Sequence, residues 1–202
     1  MIRLCRFLII FLAAILAPAA FADDLAHKLC DRCHGADGVA ATPQAPHLNA
    51  QHAGYLSEAM RKIQLGRRPT SVVDHVPATL GASEIEHIAE FYATSKATRP
   101  RQETDAEQVA RGEQIYGSRC INCHLDNGRD FEQEAPLLAA QSLPYLIEQS
   151  RLFVVGKRKF APRQDEAFKG LSDRDLDAVA HFFAAQDQVA PKTQGSAKKK
   201  RR

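Results

Sequence analysis

The chain has no tryptophan, and its only methionines are Met1 and Met60 in 202 residues. Aromatics make up 7% of it, too few for one large aromatic core and better suited to small helical units. Cysteine is sparse. Cys5 precedes an N-terminal apolar run, and the other four fall in two close pairs, which leaves none over for a disulfide. The longest apolar run, residues 7–17, is too short to cross a bilayer comfortably. Strand patterning around the cysteine pairs is absent, which argues against a thioredoxin-like dithiol. The formal net charge of +3 is not that of the body of the chain. Setting aside Arg3 and Arg6 and the five terminal cations Lys198, Lys199, Lys200, Arg201 and Arg202 takes +3 to −4 for residues 23–197. A mildly acidic body of this kind has no general affinity for nucleic acid.

Against that background the two pairs stand out: Cys30, Cys33 and His34 form one Cys-x-x-Cys-His, and Cys120, Cys123 and His124 form another. A zinc site would bring both pairs into one four-ligand cluster and has no need of histidine directly after each second cysteine. A c-type haem needs this order: two thioethers hold the porphyrin and the adjacent imidazole reaches the iron. Two c-type haems, covalently attached, are therefore expected. Arg3 and Arg6, the apolar run, Pro18 and the small residues ending at Ala22 read as a secretory leader over residues 1–22. Export agrees with haem attachment outside the cytoplasm, and the expected location is the periplasm.

The motifs lie 90 residues apart, and other residues repeat at that spacing: Pro46 and Leu48 with Pro136 and Leu138, Gln51 with Gln141, Tyr55 and Leu56 with Tyr145 and Leu146, Gly66 and Arg68 with Gly156 and Arg158. At a spacing of 91 the matches continue, with Leu80 and Leu171, Ile85 and Leu176, Ala89 and Ala180. The chain reads as a duplication. Each copy predicts a helix running into the cysteine motif, an irregular loop, a middle helix (53–65 and 143–155) and a last helix, whose apolar stripe is Ile85, Ile88, Ala89 and Tyr92 in one copy and Leu176, Val179, Ala180 and Phe183 in the other. Asp23 and Asp24 suit the first helix start, Thr104 with Glu107 the second, and Ser83 with Glu86 and Ser172 with Asp175 the last two. The expected division is a leader at 1–22, domains at 23–95 and 105–187, a polar linker at 96–104, and a basic tail at 188–202. The tail reads as a solvated end without a fold, with peripheral docking on anionic lipid or on an acidic redox partner as the alternative.

These motifs resemble the diheme class I cytochromes c, and the cytochrome subunit of flavocytochrome c sulfide dehydrogenases is a similar variant. The resemblance rests on both Cys-x-x-Cys-His motifs, on Pro46 and Leu48 with Pro136 and Leu138, on the Gln-x-x-x-Tyr-Leu segments, and on Leu171–Asp173. It implies an all-α fold of two tandem class I cytochrome c domains, each wrapped around a covalently attached haem. It further implies attachment at Cys30, Cys33, Cys120 and Cys123, and proximal ligation by His34 and His124. The implied role is electron carriage between protein partners, a dehydrogenase and/or a terminal oxidase, rather than catalysis.

One departure matters. The family's sixth ligand is a methionine ahead of the last helix, a position that falls near Val73 and Gln164, and neither loop contains methionine. For the first iron, His75, Met60 and an open or water-bound site remain as options; Met60 reads more simply as core packing. The second iron has no evident replacement. Lys157, Lys159 and Lys169 would have to lose a proton, and Gln164 or open coordination is the other reading. An open iron would bind peroxide, nitric oxide or carbon monoxide, which makes a haem enzyme or ligand binder the competing function.

Overall fold

The computed structural model describes residues 17–96, 98–132, 135–161 and 163–188, with side chains from residue 24 onward. Residues 1–16 of the expected leader (1–22) and 189–202 of the expected basic tail (188–202) lie outside the described residues. No strand occurs among the described residues, and none of their helices is long and apolar enough to cross a membrane.

The first half comprises α1 (Ala17–His34), α2 (Ala53–Gln64) and α3 (Ala82–Thr94). The second comprises α4 (Ala106–Ile115), a π-helical turn (Tyr116–Cys120), α5 (Leu143–Val154), a short α6 (Gln164–Phe168) and α7 (Asp173–Ala184). The first and last helices of each half pack together, α1 on α3 and α4 on α7, and each middle helix packs on the last, α2 on α3 and α5 on α7. The folds of the two copies are thus the same arrangement repeated. Ala50 and Ala140, 90 residues apart, both take the left-handed conformation (φ 51° and 53°). Their N–H groups donate to the Tyr92 and Phe183 carbonyls, both at 2.8 Å.

In α3 the predicted stripe is the core: Ile85, Ile88, Ala89 and Tyr92 are all buried, as i, i+3, i+4 spacing requires. In α7 the buried set departs from the predicted stripe: Leu176, Ala180 and Phe183 are buried, Val179 is only half-buried, and Ala178, Phe182 and Ala184 are buried as well. The reason is Gly112 of α4. A Cβ there would stand 2.1 Å from the Ala178 carbonyl oxygen, so the two helices touch backbone to backbone and cover a second face of α7. Several predicted helix starts shift by a residue or two. Asp105, not Thr104, caps α4 by accepting the Gln108 N–H at 2.8 Å. Glu84, not Glu86, accepts the Gly81 N–H at the start of α3. Ser172 and Asp175 form the predicted reciprocal cap of α7. Helix α1 extends across the expected cleavage point after Ala22.

The halves are joined by hydrogen bonds that exchange equivalent residues. The Gln141 amide accepts the His47 N–H (2.7 Å) and donates to the His47 carbonyl (2.9 Å). Gln51 accepts the Leu137 N–H (2.7 Å) and donates to the Leu137 carbonyl (2.9 Å). His47 and Leu137 are themselves 90 residues apart, so this contact is self-complementary in the manner of a two-fold dimer interface. The predicted linker is more than a tether. Buried Arg99 donates to the Asn49 side chain (3.1 Å), the Asn49 carbonyl (2.7 Å) and the Ala139 carbonyl (2.9 Å), one guanidinium holding both halves. Burial brings Arg99 down to about 9, which still leaves it charged at neutral pH.

Candidate haem sites

Helix α1 carries Cys30, Cys33 and His34 in its last turn. In the second half the helix gives way earlier. The π-helical turn ends at Cys120, and Cys123 and His124 follow in an irregular stretch before Asp126 and Asn127, both left-handed. Despite this local difference the two histidines are held alike. His34 Nδ1 lies 3.0 Å from the Pro46 carbonyl, and His124 Nδ1 lies 2.9 Å from the Pro136 carbonyl. A carbonyl only accepts, so each Nδ1 carries the proton and each Nε2 keeps its lone pair for a metal. Burial lowers both imidazoles below the usual histidine value, His124 to about 4, which favours the neutral, ligating form.

Metal-site and thiol alternatives fare poorly. Among the described residues no cluster of three or more His, Cys, Asp or Glu is placed to hold a metal ion by itself. Burial raises the Cys30 thiol and pushes Cys120 up to about 11, the opposite of a reactive thiolate. An iron that brings four nitrogens of its own needs only the imidazoles present.

A second feature fits such a group. Arg68 donates to the Tyr55 hydroxyl at 3.1 Å and to the Tyr145 hydroxyl at 2.5 Å, and Arg158 reaches Tyr55 at 3.5 Å. Two guanidiniums thus converge on two phenols between the halves, and among the described residues neither is ion-paired with a carboxylate. Burial works against ionisation of Tyr55, but the pull of Arg68 and then Arg158 outweighs it and lowers the phenol. The cluster is a receptor for negative charge, which suits the carboxylates of a porphyrin edge. Gln51, Tyr55 and Arg68 with their partners at +90 were visible in the sequence as repeated polar residues. Their use across the interface was not, because a repeat does not say which copy a side chain reaches.

The distal loops differ. In the first half Asp74 is left-handed (φ 50°) and His75 follows it, half-buried, its ring centre 5.7 Å from that of His34 with the planes at 89°. Burial, then Arg68, lowers His75 below its ordinary value. In the second half Arg163 is left-handed (φ 68°) and Gln164 follows it. Gln164 turns back on its own loop, accepting the Ala161 N–H at 3.0 Å. Phe153, Phe160 and Phe168 cluster there, with centroids 5.1 to 5.7 Å apart. Lys157, Lys159 and Lys169 are exposed. Met60 packs on the first-half core with Leu56 and Ile88. Of the remaining histidines, His47 accepts the Ala40 N–H at 2.9 Å, His52 stacks on Phe131, His27 pairs with Asp31, and His181 Nδ1 accepts the Asp105 N–H.

A cytochrome c family model matches residues 109–186. Cytochrome c4 of Pseudomonas aeruginosa is 28% identical over 168 residues, covering 77% of this chain and 82% of that protein. A thiosulfate dehydrogenase electron acceptor of Thiomonas intermedia is 28% identical over 182 residues, covering 84% and 83%. The reduced recombinant cytochrome c4 from Pseudomonas stutzeri superposes with a TM-score of 0.71 at 22% identity, over 83% of this chain and 98% of that one. Those relatives span both copies of the repeat.

Proposed function

We propose that this chain, a class I cytochrome c of the two-domain, two-haem kind, works as an electron-transfer protein in the periplasm and not as an enzyme. The domains are residues 23–95 and 105–187. Cys30, Cys33, Cys120 and Cys123 are the attachment sites, and His34 and His124 the proximal ligands. The observation that carries this is the duplicated histidine geometry: Pro46 and Pro136 each accept from Nδ1 and leave Nε2 free.

The haem supplies one-electron chemistry at its iron. The chain's residues orient and insulate it. The prolyl carbonyls fix tautomer and ring angle, which raises the basicity of each ligand. Tyr92, Ile88, Phe182 and Phe183, all buried, keep water from the interior of each half. Arg68 and Arg158, which donate to Tyr145 and Tyr55 between the halves, would receive the negative charge of the haem carboxylates. The exchanged glutamine bonds and Arg99 keep the separation of the two sites constant, which an electron crossing between them requires. Protein redox partners follow from the role, with a dehydrogenase as donor and a terminal oxidase as acceptor; the relative named as an electron acceptor of thiosulfate dehydrogenase supports the first of these.

Mass spectrometry of the exported protein tests this. The expected mass exceeds that of the polypeptide by two haems, by one in a Cys120→Ser, Cys123→Ser variant, and a redox titration takes up one electron per haem. Unmodified polypeptide in the periplasmic fraction refutes the reading. The absence of methionine from the second loop, with the Gln164 side-chain oxygen already accepting from Ala161, favours ligand binding as a second property of the second half; carbon monoxide uptake by the reduced protein measures it.

A further inference from the structure

We infer that His75 is the second axial ligand of the iron in the first half, so that this iron sits between two imidazoles and its counterpart does not. The inference rests on the haem reading above and goes beyond it in assigning a distal ligand to one site and denying it to the other.

The argument begins with spacing. With Nδ1 of His34 held by Pro46, only its Nε2 remains for a metal. A metal–imidazole bond is about 2 Å long and the ring centre lies about 1 Å beyond the nitrogen, so two imidazoles on opposite sides of one ion have centres roughly 6 Å apart. His34 and His75 are 5.7 Å apart, a gap that admits one metal ion. Perpendicular planes are compatible with this, because each ring can turn freely about its own metal–nitrogen bond.

An edge contact between aromatic rings has a similar spacing, but it does not account for the loop. Val73 is 90% exposed and Val72 47% exposed, while the polar His75 is turned inward. Val76 beside it is buried in the core, so the informative feature of this loop is the polar imidazole drawn in with it. The loop also uses a left-handed backbone at Asp74, which costs about 1 kcal/mol for a residue with a Cβ. A weak contact between two neutral rings does not offset both costs; a coordinate bond from a nitrogen lone pair to iron does. Strain next to an inward polar group is the pattern expected where a loop is re-aimed for ligation. The second half supplies the control. Its loop also takes a left-handed residue, at Arg163, close to the equivalent position, yet the following residue is Gln164, whose side-chain oxygen is occupied by Ala161. A kink recurs there without a histidine.

Axial ligands set haem potential, and thioether ligation raises it. Ligation by His75 would hold the first iron below the potential a methionine would give it and close it to exogenous ligands, and the second would be the one open to them.

The test uses full-length holoprotein labelled with ¹⁵N-histidine. Pyridine haemochrome analysis first counts the haems; a chain without covalent haem refutes the haem reading itself. With both haems present, pulsed electron paramagnetic resonance is expected to show two coupled imidazoles at one ferric iron and one at the other. One imidazole at each iron overturns the assignment of His75. His75→Ala is expected to abolish the two-imidazole signal and to add one equivalent of fast carbon monoxide binding per chain on reduction. His75→Met exchanges imidazole for thioether and is expected to raise one of the two potentials and leave the other in place. An unchanged spectrum in the first variant, or unchanged potentials in the second, overturns the inference.

Discussion

Replacing Gln141 by alanine tests how the halves are held together. Its amide accepts the N–H groups of His47 and Ser142 and donates to the His47 carbonyl. Gln141, His47 and Ser142 are only 3%, 4% and 4% exposed, so truncation strands two donors and an acceptor away from water. A buried polar group left unpaired costs about 1–3 kcal/mol. A water entering the space vacated by the side chain recovers part of this, which brings the net loss for three groups to about 2–4 kcal/mol. Because two of the three belong to the other half, the damage should appear as lost coupling as well as lost stability. Guanidinium unfolding of the holoprotein, followed in parallel by haem absorbance and far-ultraviolet circular dichroism, reads both. The midpoint should fall, and the transition should broaden as the halves begin to unfold separately. Gln51→Ala removes the equivalent pair with Leu137, which is fully buried, and should cost a similar amount. A loss below about 0.5 kcal/mol in either variant would refute the view that these reciprocal bonds carry the interface.

Other outcomes follow from the same structure. Gly112→Ala drives a methyl group into the Ala178 carbonyl; separating α4 from α7 should cost at least the roughly 1–3 kcal/mol of overpacking, visible as a fall in thermal midpoint, and a wild-type midpoint would contradict that helix contact. Arg99→Lys replaces a three-bonded fork with a single ammonium and should lose about 2–3 kcal/mol; equilibrium unfolding within error of wild type would show that the strap is not a structural element. Burial, then Arg99, then His34, lower His47 to about 4, against about 6.5 in the unfolded chain. The unfolded state alone takes up this proton between those values, so the His47 contribution is intact above pH 6.5 and is lost as pH falls toward 4, by up to about 3 kcal/mol. His47→Asn should flatten that part of the stability profile, and an unchanged slope would count against the assignment.

Much of this protein was legible in its residues, because the chemistry in question is local. Covalent haem attachment depends on side chains three or four positions apart, so Cys30, Cys33 and His34 and their copies mark the proposed sites without reference to the fold. Helical periodicity likewise announced Ile85, Ile88, Ala89 and Tyr92 as core. The missing methionines were equally plain, since an absent residue type needs no structure to be noticed. Other matters depended on how separate segments meet. The histidine tautomers depend on carbonyls twelve residues away, at Pro46 and Pro136. The extra burial of α7 depends on Gly112, a position whose small size matters only once α4 lies across Ala178. The roles of Gln51, Tyr55 and Arg68 across the interface, and of Arg99 as a strap, are set by which half faces which. The sequence alone thus pointed to two haem sites and showed the duplication of their motifs and the lack of methionine where the sixth ligand is expected, since all three are properties of residue type and spacing. Tertiary structure alone decided that the copies grip each other through exchanged polar bonds and that His75 comes within 5.7 Å of His34, ring centre to ring centre, because proximity across tens of residues is a property of packing.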